Sequence, residues 1–394
     1  LKRRLTRTVV GESAPLFLVD MCALVVSPQP MNPPGTRVGR ENTQMKVFRI
    51  VAPLQFGATA AVAEIPDIDT SGWATDPRDH GMSPKEFIQA ETRAFFADFI
   101  DRAGLNKFYH FPGIASAEDR FVVSPNNDTV YSIAIVNASE GFTLELPDVG
   151  DRFLSIQITD ENHMTPFYLH GGGTFEFKAD QFETDYVGIG VRTGTDASKE
   201  DVAFIVDQFQ PEYRITGASA DDAMPRPDLE RLARVRAALV EEYGKLSSTS
   251  GAMQSRTELV EDWEFFTYVT AGAFGLSADE NAMYLPYALP GAKGGACYTA
   301  TYPPVPVEAF FSITVYGPEK YLMSNENNIV GSNRGVVTNE DGSFSVAFGG
   351  EQCRDLAPNY AYTPEDGWSL LLRAYRPDVE AFRAYEMPEI VEAD

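Results

Sequence analysis

Positive charge is scarce in this sequence. Its 394 residues include 32 lysines and arginines against 57 aspartates and glutamates, which gives a formal net charge of -25 at pH 7. A surface of this sign repels nucleic-acid phosphates and anionic lipid headgroups at long range. The composition therefore argues against nucleic acid as a partner, and a solvated acidic surface is the simplest interpretation of the charge.

Histidine and cysteine, the usual ligands of transition metals, are also rare. The histidines are His80, His110, His163 and His170, and no two of them show the short spacings typical of a zinc site. The sequence has no Cys-x-x-Cys motif, and it has no Gly-x-Ser-x-Gly elbow to accompany the glycine run after His170. We therefore expect no metal site of the zinc type, and no motif points to a cofactor. The many Asp and Asn loops leave calcium open as an alternative, although none matches the twelve-residue EF-hand pattern.

Long apolar runs are missing as well, with one informative exception near the start. Residues 50–62 are mainly apolar, follow a short basic segment that begins at Met45, and end in Ala61-Val62-Ala63. This order predicts a signal peptide over residues 45–63 with cleavage after Ala63, preceded by an upstream extension. The run is shorter than the ~20 residues of a membrane-spanning helix. We expect a periplasmic or secreted protein whose mature chain, from Glu64, has no integral membrane span.

Only two cysteines remain after such cleavage, Cys297 and Cys353. An even number in an oxidising compartment permits a disulfide, which would close a loop of about 57 residues and contribute ~4 kcal/mol in the chain-entropy model. Two free buried thiols are the alternative that the sequence leaves open.

The mature chain is predicted to be mainly β with helical segments. A capping box at Ser83–Glu86 begins one amphipathic helix, and period-two alternation over about 107–217 is typical of an antiparallel sandwich or barrel. Helical spacing returns between about 227 and 285, and strands dominate again from Tyr298 to Arg376. This pattern predicts two antiparallel β-sandwich domains joined by a helical connector. The predicted ranges are 1–63 for the extension and signal peptide, 64–217 for the N-terminal helix and sandwich, 218–290 for the connector and 291–394 for the C-terminal sandwich.

Polar side chains at strand ends are the candidate functional groups. The turn before the strand at Tyr131 contains Asn126 and Asp128, which either cap their own backbone or face a ligand. Asp160 shares strand parity with apolar neighbours, so its carboxyl group is either bonded to a nearby loop amide or is a general acid. Arg373 and Tyr375 alternate with leucines on a later strand, and a guanidinium there needs a carboxylate from the protein or from a ligand.

Several of these motifs resemble a bacterial family. Its first domain, the domain of unknown function numbered 1254, is similar to this chain at residues 124–132, 146–152 and 158–160. The domain numbered 1214, its usual C-terminal companion, is similar at residues 282–284, 302–305, 311–316, 341–343 and 372–377. The resemblance implies two jelly-roll-like sandwiches with helices between them, frequent export and no settled activity. This chain has Phe311 and Tyr360 where the companion domain usually has tryptophan.

Three hypotheses for function follow. The first is an exported protein that binds a small polar ligand, such as a carbohydrate, between the sandwiches through Asn126, Tyr131, Arg373 and Tyr375. The second is a hydrolase or lyase in which Asp128 and Asp160 form a catalytic carboxylate pair in one pocket. The third is a structural protein of the envelope. The sequence specifies neither the ligand nor the oligomeric state, and a homo-oligomer fits it.

Overall fold

The computed structural model describes residues 64–119 and 124–393. The predicted upstream extension and signal peptide lie outside these residues. The helices are α1 (Pro84–Ala103), α2 (Lys199–Phe204), α3 (Leu229–Tyr243), α4 (Trp263–Gly272) and α5 (Val379–Arg383). The strands of the N-terminal half are β1 (Phe108–His110), β2 (Thr129–Asn137), β3 (Phe142–Leu146), β4 (Leu154–Asp160), β5 (Phe167–His170), β6 (Gly173–Phe177), β7 (Tyr186–Gly194) and β8 (Arg214–Thr216). Those of the C-terminal half are β9 (Ala282–Ala288), β10 (Tyr298–Tyr302), β11 (Val307–Tyr316), β12 (Ile329–Gly331), β13 (Phe344–Gly349), β14 (Asn359–Tyr362), β15 (Ser369–Pro377) and β16 (Val391–Glu392).

The N-terminal half contains two antiparallel sheets, one with the order β1-β2-β7-β4-β5 and one with the order β6-β3-β8. Alternate side chains of β4 and β7, such as Ile156 and Ile189, share one core with Phe142 and Leu144 of β3. The period-two alternation of these strands therefore buries one side of each sheet against the other.

The C-terminal half also contains two sheets, with the orders β14-β13-β10-β16 and β12-β11-β15-β9. They share a core in which Ile313 and Leu372 of one sheet join Phe344 and Val346 of the other. One pair, β13 with β14, is parallel, which the sequence pattern did not predict. Strand β9 pairs with β15, so this sheet takes a strand from within the range predicted as helical connector.

The prediction of a mainly β chain with helical segments and antiparallel sheets is confirmed. The sandwich topology of each half and the connecting role of the helices stay predictions.

Helix α1 begins as its capping box predicts. The Ser83 hydroxyl accepts a hydrogen bond from the Glu86 amide at 3.2 Å, and the Glu86 carboxylate accepts one from the Ser83 amide at 2.8 Å. The helix ends before Gly104. An ion pair links Glu91 of α1 to Arg236 of α3, in which the Arg236 Nε atom donates to both carboxylate oxygens at 2.8 and 2.9 Å.

Helices α1, α3 and α4 pack on one another around Phe87, Leu239 and Phe266. Their core also contains Met164 from the N-terminal half and Leu371 from β15. The helices therefore pack against both halves of the chain. Within the two described ranges, no helix has the length and apolar character needed to cross a membrane.

Cys297 and Cys353 are joined in a disulfide, with their Cα atoms 5.3 Å apart. The bond ties the residue before β10 to a short 3-10 helix, Glu351–Leu356, that follows β13. Gly349, at the end of β13, has a φ of +141°, and a Cβ atom there would lie 2.5 Å from the Cys353 sulfur. Glycine at this position therefore permits the close approach of β13 and the disulfide.

Strand β15 has two faces with different partners. Leu370, Leu372 and Ala374 lie in the C-terminal core. Arg373 and Tyr375 alternate with them and are buried on the opposite face, together with Ser312 of β11. This second face is directed toward the N-terminal half and carries the candidate site.

Candidate functional site

The turn before β2 lies against the second face of the C-terminal sheet. The Ser124 amide donates a hydrogen bond to the Lys320 carbonyl at 2.6 Å, and the Tyr316 hydroxyl donates one to the Pro125 carbonyl at 3.0 Å. The Asn126 side chain accepts a hydrogen bond from the Asp128 amide at 2.7 Å, as expected for an asparagine that caps its own turn. The turn is thus anchored to the other half of the chain at several points.

Asp128 is the centre of the site and has no solvent exposure. One carboxylate oxygen, Oδ2, accepts hydrogen bonds from the Ser312 hydroxyl at 2.6 Å and from the Tyr375 hydroxyl at 2.9 Å. The Asn126 amide in turn donates to the Tyr375 oxygen at 2.8 Å. Burial, and next the charge of Asp128, raise the pKa of Tyr375 well above its usual value, so this tyrosine stays protonated and donates.

Two arginines of the C-terminal half reach the same turn. Arg373 donates to the Thr314 hydroxyl at 3.0 Å and to the Ser124 carbonyl at 2.7 Å, and its guanidinium lies 5.7 Å from the Tyr316 ring centroid. Arg334 donates to the Asn127 carbonyl. Burial lowers the pKa of Arg334, and the nearby charge of Asp128 opposes that effect.

The N-terminal sheet contributes a row of side chains on the face directed at this turn. Tyr131 of β2 lies opposite Arg192 of β7, which lies opposite Ser155 of β4. The Arg192 guanidinium lies 5.6 Å from the Tyr131 ring centroid and donates to the Gln157 side chain at 2.9 Å. Gln157 is itself held by the Leu276 carbonyl at 2.9 Å.

Aromatic rings connect the two sets of polar groups. Phe310 and Tyr375 stack with their centroids 4.1 Å apart, and Phe153, two residues before Ser155, meets them edge-on at 5.1 and 5.7 Å. Tyr131 is also close enough to Tyr375 to contribute to the rise in its pKa. The row on β2, β7 and β4 therefore belongs to the same site as Asp128.

Several polar atoms of this region are buried without a hydrogen-bond partner among the described residues. The unpartnered atoms are Asn127 Oδ1, Asp128 Oδ1, Thr129 Oγ1, Ser155 Oγ, Asn333 Oδ1 and Arg334 Nε. We call the six residues that carry these atoms the junction cluster. A buried donor or acceptor left without a partner costs about 1 to 3 kcal/mol. A concentration of such atoms at one place calls for a partner such as water, an ion or a bound polar molecule.

The predicted carboxylate pair of Asp128 and Asp160 is wrong. Strands β2 and β4 both run antiparallel to β7, which separates them, so the start of β2 and the end of β4 lie at opposite ends of the sheet. Thr129 is opposite Gly194 and Asp160 is opposite Val187, a difference of seven positions along β7. At ~3.3 Å per residue this separation is roughly 23 Å, too far for one catalytic pocket.

Asp160 instead organises the turn that follows β4. Its Oδ1 atom accepts hydrogen bonds from the Asn162 and Met164 amides at 2.9 and 3.0 Å. Complete burial raises the pKa of Asp160 well above its usual value, and Glu183 adds to the effect. The sequence alternative, a carboxyl group bonded to a neighbouring loop amide, describes this placement.

The same turn holds His163 in a left-handed conformation with a φ of 62°. Its Nε2 atom accepts from the Gly275 amide at 3.0 Å, so Nδ1 carries the proton and donates to the Thr270 hydroxyl at 3.0 Å. The ring stacks on Phe274 at 4.3 Å. Burial lowers the pKa of His163 to about 3, so it is a neutral structural link to the end of α4.

The structure thus brings together Asn126, Asp128, Tyr131, Arg373 and Tyr375, and it separates Asp160 from them. Sequence reasoning missed Ser312, Arg334, Arg192 and Ser155. Arg192 carried a usable signal, because a guanidinium within the apolar run of β7 is as unusual as Arg373 within β15. Ser155, Ser312 and Arg334 carried none, since their roles depend on strand register and on contacts between the halves. Within the described ranges, no group of three or more His, Cys, Asp and Glu side chains is arranged to hold a metal ion.

Comparisons with known proteins identify two family matches. Residues 105–181 match the model described as Protein of unknown function (DUF1254), and residues 289–379 match Protein of unknown function (DUF1214). No curated protein sequence gives a significant match.

Two solved structures are similar. The VPA0106 protein of Vibrio parahaemolyticus is 17% identical, covers 81% of this chain and 100% of its own, and superposes with a TM-score of 0.62, which indicates a shared fold. An uncharacterised protein of Burkholderia cenocepacia is 13% identical over 78% of this chain and 88% of its own, with a TM-score of 0.46. The two family matches show the arrangement that the motifs predicted, with similarity to DUF1254 in the N-terminal half of the chain and to DUF1214 in the C-terminal half.

Proposed function

We propose that this chain binds a small polar ligand at the junction cluster, between two jelly-roll-like sandwich halves. The observation that carries the proposal is the set of buried polar atoms without partners around Asp128, contributed by both halves. Such atoms gain hydrogen bonds only when a polar molecule enters, and the gain favours the bound state.

The chemistry of the cluster favours a hydroxylated molecule such as a carbohydrate. Asp128 Oδ1 and Asn127 Oδ1 are acceptors, and a ligand hydroxyl group can donate to them. The stacked rings of Phe310 and Tyr375 give an apolar surface beside these acceptors. Sites for small polar ligands combine apolar walls with a few directed polar groups in this way.

A thermal-shift screen of the full chain against neutral sugars, polyols and their acids tests the proposal, because a ligand of the native state raises its melting temperature. Asp128→Asn keeps the shape of the side chain and removes its charge, so we expect the shift to be lost. Asp151→Asn changes an exposed carboxyl group and is the matched control, in which we expect the shift to persist.

Tyr375→Phe is a second variant in case Asp128→Asn does not fold, since it removes only the hydroxyl that bonds Asp128. The proposal fails if no compound raises the melting temperature, or if the shift is the same in the wild type and in both junction variants.

We also propose export to the periplasm or the medium. The signal-like order of residues 45–63 supports it, and so does the disulfide between Cys297 and Cys353, a bond that is rare in the reducing cytosol. Mass spectrometry of the protein recovered from a periplasmic fraction should find Glu64 at its amino terminus. Recovery of the uncleaved chain from the cytosol alone would contradict the proposal.

A further inference from the structure

We propose that the ligand of the junction carries a carboxylate group, which Arg192 and Ser155 bind. This inference rests on the proposed function and adds the chemical class of the ligand, a small hydroxylated acid. It concerns Arg192 and Ser155 on the N-terminal sheet, whereas the proposed function is tested at Asp128 and Tyr375.

The balance of charge at the junction favours an anion. Arg192, Arg334 and Arg373 place three guanidinium groups in or beside the cluster, and Arg192 and Arg373 are buried. Among the described residues, Asp128 is the buried carboxylate of the cluster, and Asp196, an exposed residue, also acts on Arg334. Guanidinium groups bind carboxylates through charge-assisted hydrogen bonds of matching geometry, so a site with several of them favours an anionic ligand.

The register places the two binding groups side by side. Ser155 and Arg192 are directly opposite in the antiparallel pair of β4 and β7, so their Cβ atoms are roughly 5 Å apart on the same face. Ser155 has no solvent exposure, and its hydroxyl has no partner among the described residues. One carboxylate group can accept from a guanidinium and from such a hydroxyl at the same time.

Arg192 is held in position before any ligand arrives. The Tyr131 ring faces its guanidinium at 5.6 Å, and Gln157 accepts its hydrogen bond at 2.9 Å. The Ser277 hydroxyl and the Leu276 carbonyl fix Gln157 in turn, at 3.2 and 2.9 Å. A guanidinium fixed in this way loses little conformational entropy on binding.

The two parts of the site then bind different groups of the ligand. The arginine and serine of the N-terminal sheet bind the carboxylate, and the acceptors around Asp128 bind hydroxyl groups. Tyr375 lies between the two parts, since it bonds Asp128 and lies close to Tyr131. This arrangement selects acids over neutral polyols of the same shape.

Calorimetric titration of the full chain at constant ionic strength tests the inference with matched pairs. The pairs are D-gluconate and D-glucitol, D-galacturonate and D-galactose, and glycerate and glycerol, with inorganic phosphate as a further probe. A charge-assisted hydrogen bond corresponds to roughly a tenfold to hundredfold change in affinity, so in at least one pair we expect the acid to bind more tightly by that factor.

Arg192→Gln should weaken binding of the acid by a larger factor than binding of its neutral partner, so that the advantage of the acid is lost. Arg214→Gln is the control, because it makes the same change at an exposed arginine paired with Glu212 on the surface. Ser155→Ala is the second variant if Arg192→Gln does not fold, and it should reduce the advantage without changing the net charge.

The outcomes separate this inference from the proposed function. If neutral members bind and depend on Asp128 while the acids bind no more tightly, the carboxylate inference is wrong and the proposed function stands. An acid advantage that survives both Arg192→Gln and Ser155→Ala would also overturn the inference. Binding of phosphate in place of every acid contradicts the carboxylate class, and the absence of binding by all probes contradicts both proposals.

Discussion

A carboxyl group removed from water favours its protonated form, and Asp160 is such a group. Its pKa is about 3.9 in an unfolded chain and is raised in the native state. At pH values between these two pKa values, the folded protein binds more protons than the unfolded one. Stability from this residue is therefore fully present below pH ~3.9 and is lost as the pH rises through the folded-state pKa.

We predict that Asp160→Asn is more stable than the wild type at pH 7 and that the difference shrinks as the pH falls toward 4. The asparagine oxygen can accept the same amide hydrogen bonds and carries no charge to bury. Urea unfolding of both proteins over this pH range measures the difference. Asp148→Asn, in an exposed turn, is the control. If Asp160→Asn is less stable than the wild type at pH 7, the prediction that burial of the Asp160 charge destabilises the fold is wrong.

Tyr302 presents a related case in the C-terminal core. Its side chain is fully buried and stacks on Phe344 at 5.1 Å, while its hydroxyl has no partner among the described residues. We predict that Tyr302→Phe raises the free energy of unfolding by about 1 kcal/mol, because it keeps the stack and removes an unsatisfied hydroxyl.

Tyr360→Phe is the matched control for this change. The Tyr360 hydroxyl donates to the Gly349 carbonyl at 3.0 Å, so its removal should cost about 1 kcal/mol in place of a gain. Chemical unfolding at pH 7 measures both variants. A loss of stability in Tyr302→Phe would show that its hydroxyl has a partner in solution.

Among the secondary structure elements, strands and the first helix could be predicted from local pattern, and strand order could not. The alternation in β4 correctly placed Asp160 on the buried face, because side-chain parity depends only on the strand itself. Whether β4 neighbours β2 depends on the position of β7, more than 25 residues further along the chain. The prediction of a carboxylate pair was wrong for this reason. Strand parity determines on which face of the sheet a residue lies, but it does not determine at which end of the sheet the residue lies.

Some residues of the candidate site could be predicted from the sequence, and the contacts between them could not. Asn126, Asp128 and Tyr375 were predictable as polar groups at strand ends or within an apolar strand. Their meeting required the turn before β2 to dock on β11 and β15, which no local pattern encodes. Ser312 is an example, because nothing in the sequence distinguishes a serine of a buried strand as a site residue. Its role is apparent only from its hydrogen bond to Asp128.

The disulfide between Cys297 and Cys353 gives a prediction about the stability of the C-terminal half. The bond joins residues 56 positions apart, and in the chain-entropy model its removal costs ~4 kcal/mol. We expect the double variant Cys297→Ala with Cys353→Ala to lose roughly this much stability in urea unfolding. Reduction of the wild type with dithiothreitol should reproduce the loss, and a double variant as stable as the oxidised wild type would contradict the prediction.

At the scale of the whole molecule, the net charge of -25 opposes compaction. Salt screens this repulsion, since the Debye length falls from about 30 Å at 0.01 M to about 10 Å at 0.1 M. We predict that the melting temperature rises over this range of sodium chloride. Potassium chloride should give the same rise, because screening does not depend on the identity of the cation, and an unchanged or lower melting temperature would contradict the prediction.

The hydrogen bond between Asn126 and Tyr375 joins residues 249 positions apart, so Tyr375 leaves the ribosome long after Asn126. Synthesis at about 5 to 20 residues per second separates the two ends of this bond by roughly 12 to 50 s. For that interval a nascent chain displays its N-terminal sheet and the turn around Asp128 without the strand that covers them. A chaperone or a translocation machine therefore has many seconds in which to engage the chain before its centre closes.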